Sequence, residues 1–332
     1  MILFAILPWL LLVPLVFAHV PIGPGDNESL TTATVIPDPA KSWAIYGELH
    51  EGGEAQYYRF DISENQRIYI SLFISTNPKE SGFLPSFALM GPGIDNQGNL
   101  PDFVEAPESV DVMIIEGQQP DQAYYEGFSP SSQYFVARVD MDAPALGTYY
   151  IAVYESNQGG HYGLAVGYQE TFTLLEWIRV PIDQIAIYQW SGQSLALILA
   201  PMTLTVAIGL VIMIWWRINR GTLQTLFGLV GSVAGFFFLG SGASVQFQMF
   251  FSVTRTHLTP EIGVTLVFAL FPIILGFIAL RITFRSEETV NIQKRITMVI
   301  LGVIALFIWA GLLIGPALAI VAGVLPFIIE RP

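Results

Sequence analysis

Short segments rich in β-branched and aromatic residues alternate with turn residues through the first half of the chain. Eight such segments cover residues 43–49, 55–62, 67–74, 86–91, 110–116, 134–140, 148–155 and 161–168. Several alternate apolar and polar positions, which is the two-residue period of a strand with one buried face. This spacing predicts an antiparallel, jelly-roll-like β-sandwich over residues 19–171.

The pattern changes after residue 191, where apolar runs become long enough to cross a bilayer. These runs predict a transmembrane domain at 192–332 with about four helices, at 192–216, 221–243, 262–280 and 297–315. A further apolar segment covers 316–330. Gly315-Pro316 is predicted to break the last run into a full span and a shorter piece that returns or lies along the interface.

Residues 172–191 link the two halves. Thr173 and Glu176 have the spacing of a capping box, which predicts a short interfacial helix that Pro181 ends or kinks. Trp177 and Trp190 are placed to anchor this helix at the membrane surface. A final strand followed by a linker is the alternative.

The N-terminal segment 1–18 is an unbroken apolar run that ends in Val16-Phe17-Ala18. This pattern predicts a secretory signal peptide cleaved after Ala18. Because no Lys or Arg precedes the run, a retained N-terminal anchor is the alternative. Either outcome places His19 and the following residues outside the cytoplasm.

Charge divides the chain at the same point as hydropathy. Residues 19–190 contain 6 Lys/Arg and 23 Asp/Glu, whereas residues 191–332 contain 8 and 4. The basic residues after the first and third predicted spans place those loops in the cytoplasm and the acidic domain outside. The predicted location is therefore the cell membrane, with a multi-pass topology. The acidic half excludes nucleic acid as a partner, and the absence of cysteine excludes disulfides and thiolate sites.

The strand sequences EAQYYRFDI (54–62), RIYISLFI (67–74) and GTYYIAVYESNQGGHYGLAVGY (147–168) resemble the pre-peptidase C-terminal-like β-sandwich of exported proteins. A sandwich ahead of several spans also resembles polytopic membrane proteins of archaeal type. The resemblance covers roughly residues 30–170. It implies a binding and accessory module without catalytic residues.

The most specific candidate metal ligands in the sequence are histidines. After cleavage the chain would begin at His19, and an N-terminal histidine can bind copper together with a second histidine in a histidine brace. His50 and His161, each beside a Gly-Gly turn, are the candidate second ligands, and imidazole suits Cu(II). The alternative is that these histidines are incidental and that the protein has no cofactor.

Other candidate sites are weaker. Asp95, Asn96, Asp102 and Glu105 share one acidic loop, and Asp140 and Asp142 another, but neither has the spacing of a calcium loop, so a solvated acidic surface is favoured. The tyrosine pairs 57–58, 124–125 and 149–150 could stack on sugars, although one tyrosine of a strand pair normally points into the core. No nucleophile motif or phosphate-binding loop is present, so no enzymatic activity is predicted.

These observations favour a non-catalytic integral membrane protein. We expect its extracytoplasmic sandwich to bind an envelope protein, a glycan or a subunit of a membrane complex, while the spans provide anchoring and assembly in the lipid bilayer. Copper binding or delivery is one alternative. A transporter or channel component is another, although the predicted spans have almost no ionisable residues in their middles.

Overall fold

The computed structural model describes residues 19–63, 66–108, 110–220, 225–284 and 290–325. The predicted signal or anchor, residues 221–224 and the end of the C-terminal apolar segment lie outside the described residues. The chain divides into two compact units. We call Met1–Ile74, Gly82–Gln119 and Phe135–Thr171 the sandwich unit, and Ser75–Ser81, Pro120–Tyr134 and Phe172–Pro332 the helical unit.

The first half of the chain forms a two-sheet, mostly antiparallel β-sandwich, as the alternating pattern predicts. One sheet has the strand order β1-β3-β11-β5-β9-β8, and the other β2-β4-β10-β6-β7. The strands are β1 (Val20–Ile22), β2 (Thr34–Val35), β3 (Trp43–Leu49), β4 (Glu54–Ile62), β5 (Arg67–Ser75), β6 (Ser86–Gly91), β7 (Asp111–Ile115), β8 (Tyr124–Glu126), β9 (Ser131–Asp142), β10 (Gly147–Glu155) and β11 (Gly160–Val166).

All eight predicted strands are present, and three short strands are additional. β1, β2 and β8 have only two or three residues each, which is too short for a period to be read from sequence. β1 and β2 also pair in parallel with β3 and β4, so the sandwich is not wholly antiparallel.

The mainly apolar sandwich core contains a buried chain of hydrogen bonds. Tyr58 and Tyr162 are 0 % exposed, and their hydroxyl oxygens lie 2.5 Å apart. Tyr162 donates to Oε1 of Gln56 at 2.5 Å, and Nε2 of Gln56 donates to the carbonyl oxygen of Glu48 at 2.6 Å. Burial raises the pKa of both tyrosines, so both remain protonated donors. The chain therefore satisfies polar groups that would otherwise be costly to bury.

The helical unit contains six α-helices within the described residues: α1 (Leu174–Trp190), α2 (Leu195–Arg220), α3 (Leu226–Val253), α4 (Ile262–Thr283), α5 (Ile292–Phe307) and α6 (Ile314–Val324). Three of them, α2, α3 and α4, are long and apolar enough to cross a membrane. Both α2 and α4 pack on α3.

Helix α1 confirms that a helix follows the sandwich, in place of the alternative final strand and linker, while its position at a membrane surface stays a prediction. Thr173 and Glu176 form the predicted capping box, with the Glu176 N–H donating to the Thr173 hydroxyl and the Thr173 N–H to the Glu176 carboxylate. Of the two predicted effects of Pro181, the end of the helix is wrong, because the helix continues through Pro181 to Trp190.

The predicted fourth span at 297–315 is not one helix. The apolar run breaks at 308–313, before Gly315-Pro316, and α5 and α6 pack against each other as an antiparallel hairpin. At 1.5 Å per residue, the 16 residues of α5 reach only about 24 Å. Nη1 of Arg295, near the start of α5, donates to the Leu325 carbonyl oxygen beyond α6 at 2.6 Å. The end of α6 therefore lies beside the beginning of α5.

Glycines in the apolar half lie where helices of this chain pack closely together. A Cβ atom at Gly235 on α3 would lie 2.8 Å from Leu280 of α4, and one at Gly315 would lie 3.0 Å from the Phe238 ring of α3. Small residues at these positions let the helix backbones approach closely.

Candidate functional site

The structure does not bring the predicted copper ligands together. β1 pairs with β3 through Val20 and Trp43, so His19 lies beside the first residue of β3. His50 follows the last residue of that strand, and His161 pairs with Glu48 near the same end. His19 is level with Ser42 and His161 with Glu48, so six residues at 3.3 Å each separate the two histidines by roughly 20 Å along the strand. These positions leave His19 without either predicted second ligand.

The three histidines instead make separate local contacts. Nδ1 of His19 hydrogen bonds the Ser42 hydroxyl. Nδ1 of His50 lies 3.5 Å from the Glu54 carboxylate, and Nε2 of His161 lies 3.5 Å from that of Glu48. Each histidine therefore has its own local partner, and copper binding through these residues stays a prediction.

His19 makes the stability of the sandwich unit sensitive to pH. Burial lowers the pKa of His19 from 6.5 to about 4, because the charged imidazolium would be desolvated. The folded state therefore binds fewer protons than the unfolded state between pH 6.5 and 4, and stability falls as the pH falls through that window. From pH 6.5 to 5 we expect a loss of about 2 kcal/mol. Denaturant unfolding of the wild-type chain and of His19→Gln checks this, since the variant should lose this part of the pH dependence.

The predicted acidic loop is not assembled around a common centre. The Glu105 carboxylate accepts from the Leu30 N–H at 3.0 Å, which is a structural contact. Asp140 pairs with Arg67 on β5. No cluster of three or more His, Asp or Glu side chains suited to a metal occurs among the residues that the structure describes.

The tyrosine pairs are mainly core residues, as predicted. Tyr125 and Tyr149 are 0 % exposed, whereas their neighbours Tyr124 and Tyr150 are not buried. The pair 57–58 differs, because both of its rings are buried. None of the three pairs presents two exposed rings for stacking on a sugar.

An arginine–tyrosine surface lies on the outer face of the six-stranded sheet. Ile68 and Ile70 of β5 point into the core, so Arg67 and Tyr69 point outwards. The guanidinium carbon of Arg67 lies 5.3 Å from the Tyr69 ring centroid and 5.5 Å from that of Tyr168. Arg138 of β9 lies 5.8 Å from the same Tyr69 ring. We call Arg67, Tyr69, Arg138 and Tyr168 the Arg–Tyr surface.

Asp140 forms an ion pair with Arg67 of this surface. Nε and Nη2 of Arg67 donate to its two carboxylate oxygens, both at 2.6 Å. This two-fold hydrogen bond raises the pKa of Arg67 and lowers the pKa of Asp140. This planar, two-point pair orients the Arg67 guanidinium group beside the Tyr69 and Tyr168 rings.

A second candidate site is a cavity of about 80 Å³ within the helical unit. At 10–15 Å³ for each water, it has room for about five waters or one small molecule. Helices α1 to α4, the 308–313 break and segment 120–134 all contribute to its walls. The aromatic lining includes Phe128, Tyr188, Phe268 and Trp309, and the polar lining includes Gln184, Ser241 and Ser244.

Segment 120–134 is held among the helices by hydrogen bonds from helix side chains to its backbone carbonyl oxygens. The Thr265 hydroxyl of α4 donates to the Gly127 carbonyl oxygen at 2.6 Å. The Ser252 hydroxyl of α3 donates to the Pro130 carbonyl oxygen at 3.0 Å. Phe128 then lies 5.0 Å from Trp309 and 5.5 Å from Phe268, centroid to centroid. Segment 120–134, which lies mostly between the predicted strands 110–116 and 134–140, is thus part of the wall of the cavity.

The break between α5 and α6 contains left-handed backbone at the cavity. Trp309 and Leu312 have φ values of 55° and 56°, and both line the cavity. This conformation is unfavourable for bulky residues, so surrounding contacts must impose it. Nε1 of Trp309 donates to the Trp177 carbonyl oxygen at 2.6 Å. That carbonyl lacks its usual helical donor because Pro181, four residues later, has no N–H.

The polar groups of the cavity are uncharged. The side-chain amides of Gln193 and Gln248 form two reciprocal hydrogen bonds, both at 2.9 Å, next to it. The Ser244 hydroxyl lies at the wall and has no hydrogen-bond partner among the described residues. Hydroxyl and amide groups surrounded by aromatic rings suit water or a small neutral molecule rather than an ion.

Sequence reasoning missed both candidate sites. Arg67 and Arg138 are 71 residues apart in sequence, and only the pairing of β5 with β9 places them together. The cavity depends on a helix break within an unbroken apolar run. The sequence signal for the Arg–Tyr surface was the alternation in β5, which points Arg67 and Tyr69 to one face. The signal for the helix break was Gly311, the only glycine within 308–313.

Comparison with known proteins assigns no family. Neither a protein-family model nor a curated protein matches this chain.

Proposed function

We propose that this chain is a non-catalytic, multi-pass membrane protein whose extracytoplasmic sandwich binds a protein partner through the Arg–Tyr surface. The observation that carries the proposal is the ordered pairing of two arginines with two tyrosines on an otherwise acidic unit. Arg and Tyr are enriched at the energetic centres of protein interfaces. Residues 19–190 contain only six Lys and Arg, and two of them lie here. The expected partner surface is acidic, and helices α2 to α4 supply the membrane anchor.

Replacing Arg67 and Arg138 together by alanine should abolish the interaction. A photo-crosslinking residue at position 169, the exposed neighbour of Tyr168, should give one discrete adduct in native membranes with both arginines present and none in the double variant, because the cation–π contacts and the partner's counter-charges are lost. Arg59→Ala is the matched control, since Arg59 is an exposed arginine on β4 of the other sheet. An adduct that persists in the double variant, or a crosslink to glycan alone, would refute a protein partner at this surface.

The extracytoplasmic position of the sandwich is a separate proposal that rests on charge. Lys294 and Arg295 begin α5, and Arg217 lies in the last turn of α2, so the basic residues collect at helix ends that the positive-inside rule assigns to the cytoplasm. The cysteine-free chain allows a direct test. A single cysteine at Glu51 should react with an impermeant maleimide in intact cells, whereas one at Lys294 should react only after permeabilisation.

The cavity favours a transporter or channel component as a second candidate function. In a membrane, non-helical backbone is tolerated where protein buries it or a cavity adjoins it, and transporters use broken helices of this kind around their substrates. If the cavity lies on a transport route, a cysteine at Ser244 should react with a small water-soluble thiol reagent. Ala234→Cys is the control, because Ala234 is 0 % exposed and lies outside the cavity lining. If neither cysteine reacts with the reagent, a water-connected route through the cavity is refuted.

A further inference from the structure

A large groove lies between α2 and α4 on the outside of the helical unit. Both helices pack on α3, but they do not pack extensively on each other within the described residues. The space between them has a volume of about 1000 Å³. Phe236 and Leu239 of α3 lie in it between Ile208 of α2 and Phe277 of α4. This is room for one or more acyl chains rather than for a single small molecule.

The groove is apolar along its length and basic at one end. Apart from Thr205, its polar lining residue is Arg281, which lies in the last turn of α4. The Arg281 side chain is exposed, and no described carboxylate forms an ion pair with it. Arg217 lies at the same end, because its Nη2 donates to the carbonyl oxygen of Phe284, another lining residue. An occupant must therefore combine a long apolar part with an anionic end.

We propose that this groove is a binding site for one anionic membrane lipid, with an acyl chain between α2 and α4 and its phosphate at Arg281. The inference rests on the proposed membrane insertion of α2 to α4. Charge complementarity selects the lipid, because an arginine at the end of an apolar groove can pair with a phosphate at headgroup level while its aliphatic part covers the chain. A basic pocket between spanning helices is a known kind of headgroup site.

The headgroup contact is tested by native mass spectrometry of the purified full-length chain. With equal amounts of a phosphatidylglycerol and a phosphatidylcholine of the same chains, the wild-type protein should retain phosphatidylglycerol preferentially. Arg281→Gln should reduce this preference about fivefold, the equivalent of roughly 1 kcal/mol for one basic side chain. Lys294→Gln is the matched control, because Lys294 is exposed at the start of α5 and does not line the groove. An equal loss in both variants would overturn the proposal, since the preference would then reflect general charge.

The acyl contact is tested by filling the groove. Ile208 is 57 % exposed and lines the groove, whereas Val211 is 66 % exposed and does not. Ile208→Trp should displace the bound lipid, and Val211→Trp should leave it in place. Glycerol phosphate, which has the headgroup charge without the chains, should not compete. Retention of lipid by Ile208→Trp, or competition by glycerol phosphate, would overturn the site. Recovery of the chain in carbonate-washed membranes tests insertion independently of either result.

Discussion

Replacing Trp309 by alanine should destabilise the helical unit by about 3–5 kcal/mol, the usual range for a buried tryptophan. Its ring lies 4.4 Å from that of Trp177, 5.0 Å from Phe128 and 5.8 Å from Phe268, measured between centroids. The same side chain supplies the donor for the Trp177 carbonyl oxygen. Its removal therefore combines lost aromatic packing with an unsatisfied buried acceptor.

The labelling rate of a single engineered cysteine measures this loss of stability for the helical unit alone. Ala279 is 0 % exposed on α4, so a cysteine there should be alkylated only when the unit opens. Trp309→Ala should accelerate the labelling by more than a hundredfold, which corresponds to roughly 3 kcal/mol. Trp215→Ala is the matched control, because Trp215 is 63 % exposed on α2 and should change the rate little. Equal rates for the two variants would mean that Trp309 does not hold the unit together.

The break at Trp309 also marks the limit of what sequence predicts here. Residues 308–313 are Ile-Trp-Ala-Gly-Leu-Leu, in which only Gly311 disfavours a helix. Contacts with Trp177 and Phe128, which are distant in the chain, decide that the helix stops. The strands could be predicted because their two-residue period is local, and the long spans because their apolar composition is local. Segment 120–134 could not be placed, because its polar composition indicates a loop but not what the loop packs against.

The same limit applies to the candidate sites. The histidines were predicted as copper ligands from their residue type alone, but strand pairing places His19 at the opposite end of β3 from His50. Conversely, Arg67 and Arg138 belong to no recognisable motif, and the sheet alone brings both against Tyr69. Local sequence thus predicts which residues are strand, helix or outward-facing, whereas sites built from distant strands require the pairing itself.

Replacing Tyr162 by phenylalanine should destabilise the sandwich unit by about 2–4 kcal/mol although the ring is kept. Tyr162 accepts from Tyr58 and donates to Gln56, so loss of one hydroxyl leaves two buried polar groups without this partner. Each group left unsatisfied costs about 1–3 kcal/mol. Because the aromatic ring remains, no cavity cost is added.

Opening of the sandwich core is measured by the alkylation rate of a cysteine that replaces Ser71. This exchange is nearly isosteric, and the position is only 1 % exposed. Tyr162→Phe should increase its labelling rate by at least thirtyfold, equivalent to about 2 kcal/mol. Tyr69→Phe is the control, because it removes a hydroxyl from the outer face and keeps the ring that contacts Arg67. A double-mutant cycle with Tyr58→Phe then isolates the coupling: the second substitution should cost much less once the first has removed the shared hydrogen bond. Additive losses would show that the two hydroxyls are satisfied independently, and that the chain from Tyr58 to Glu48 does not act as a unit.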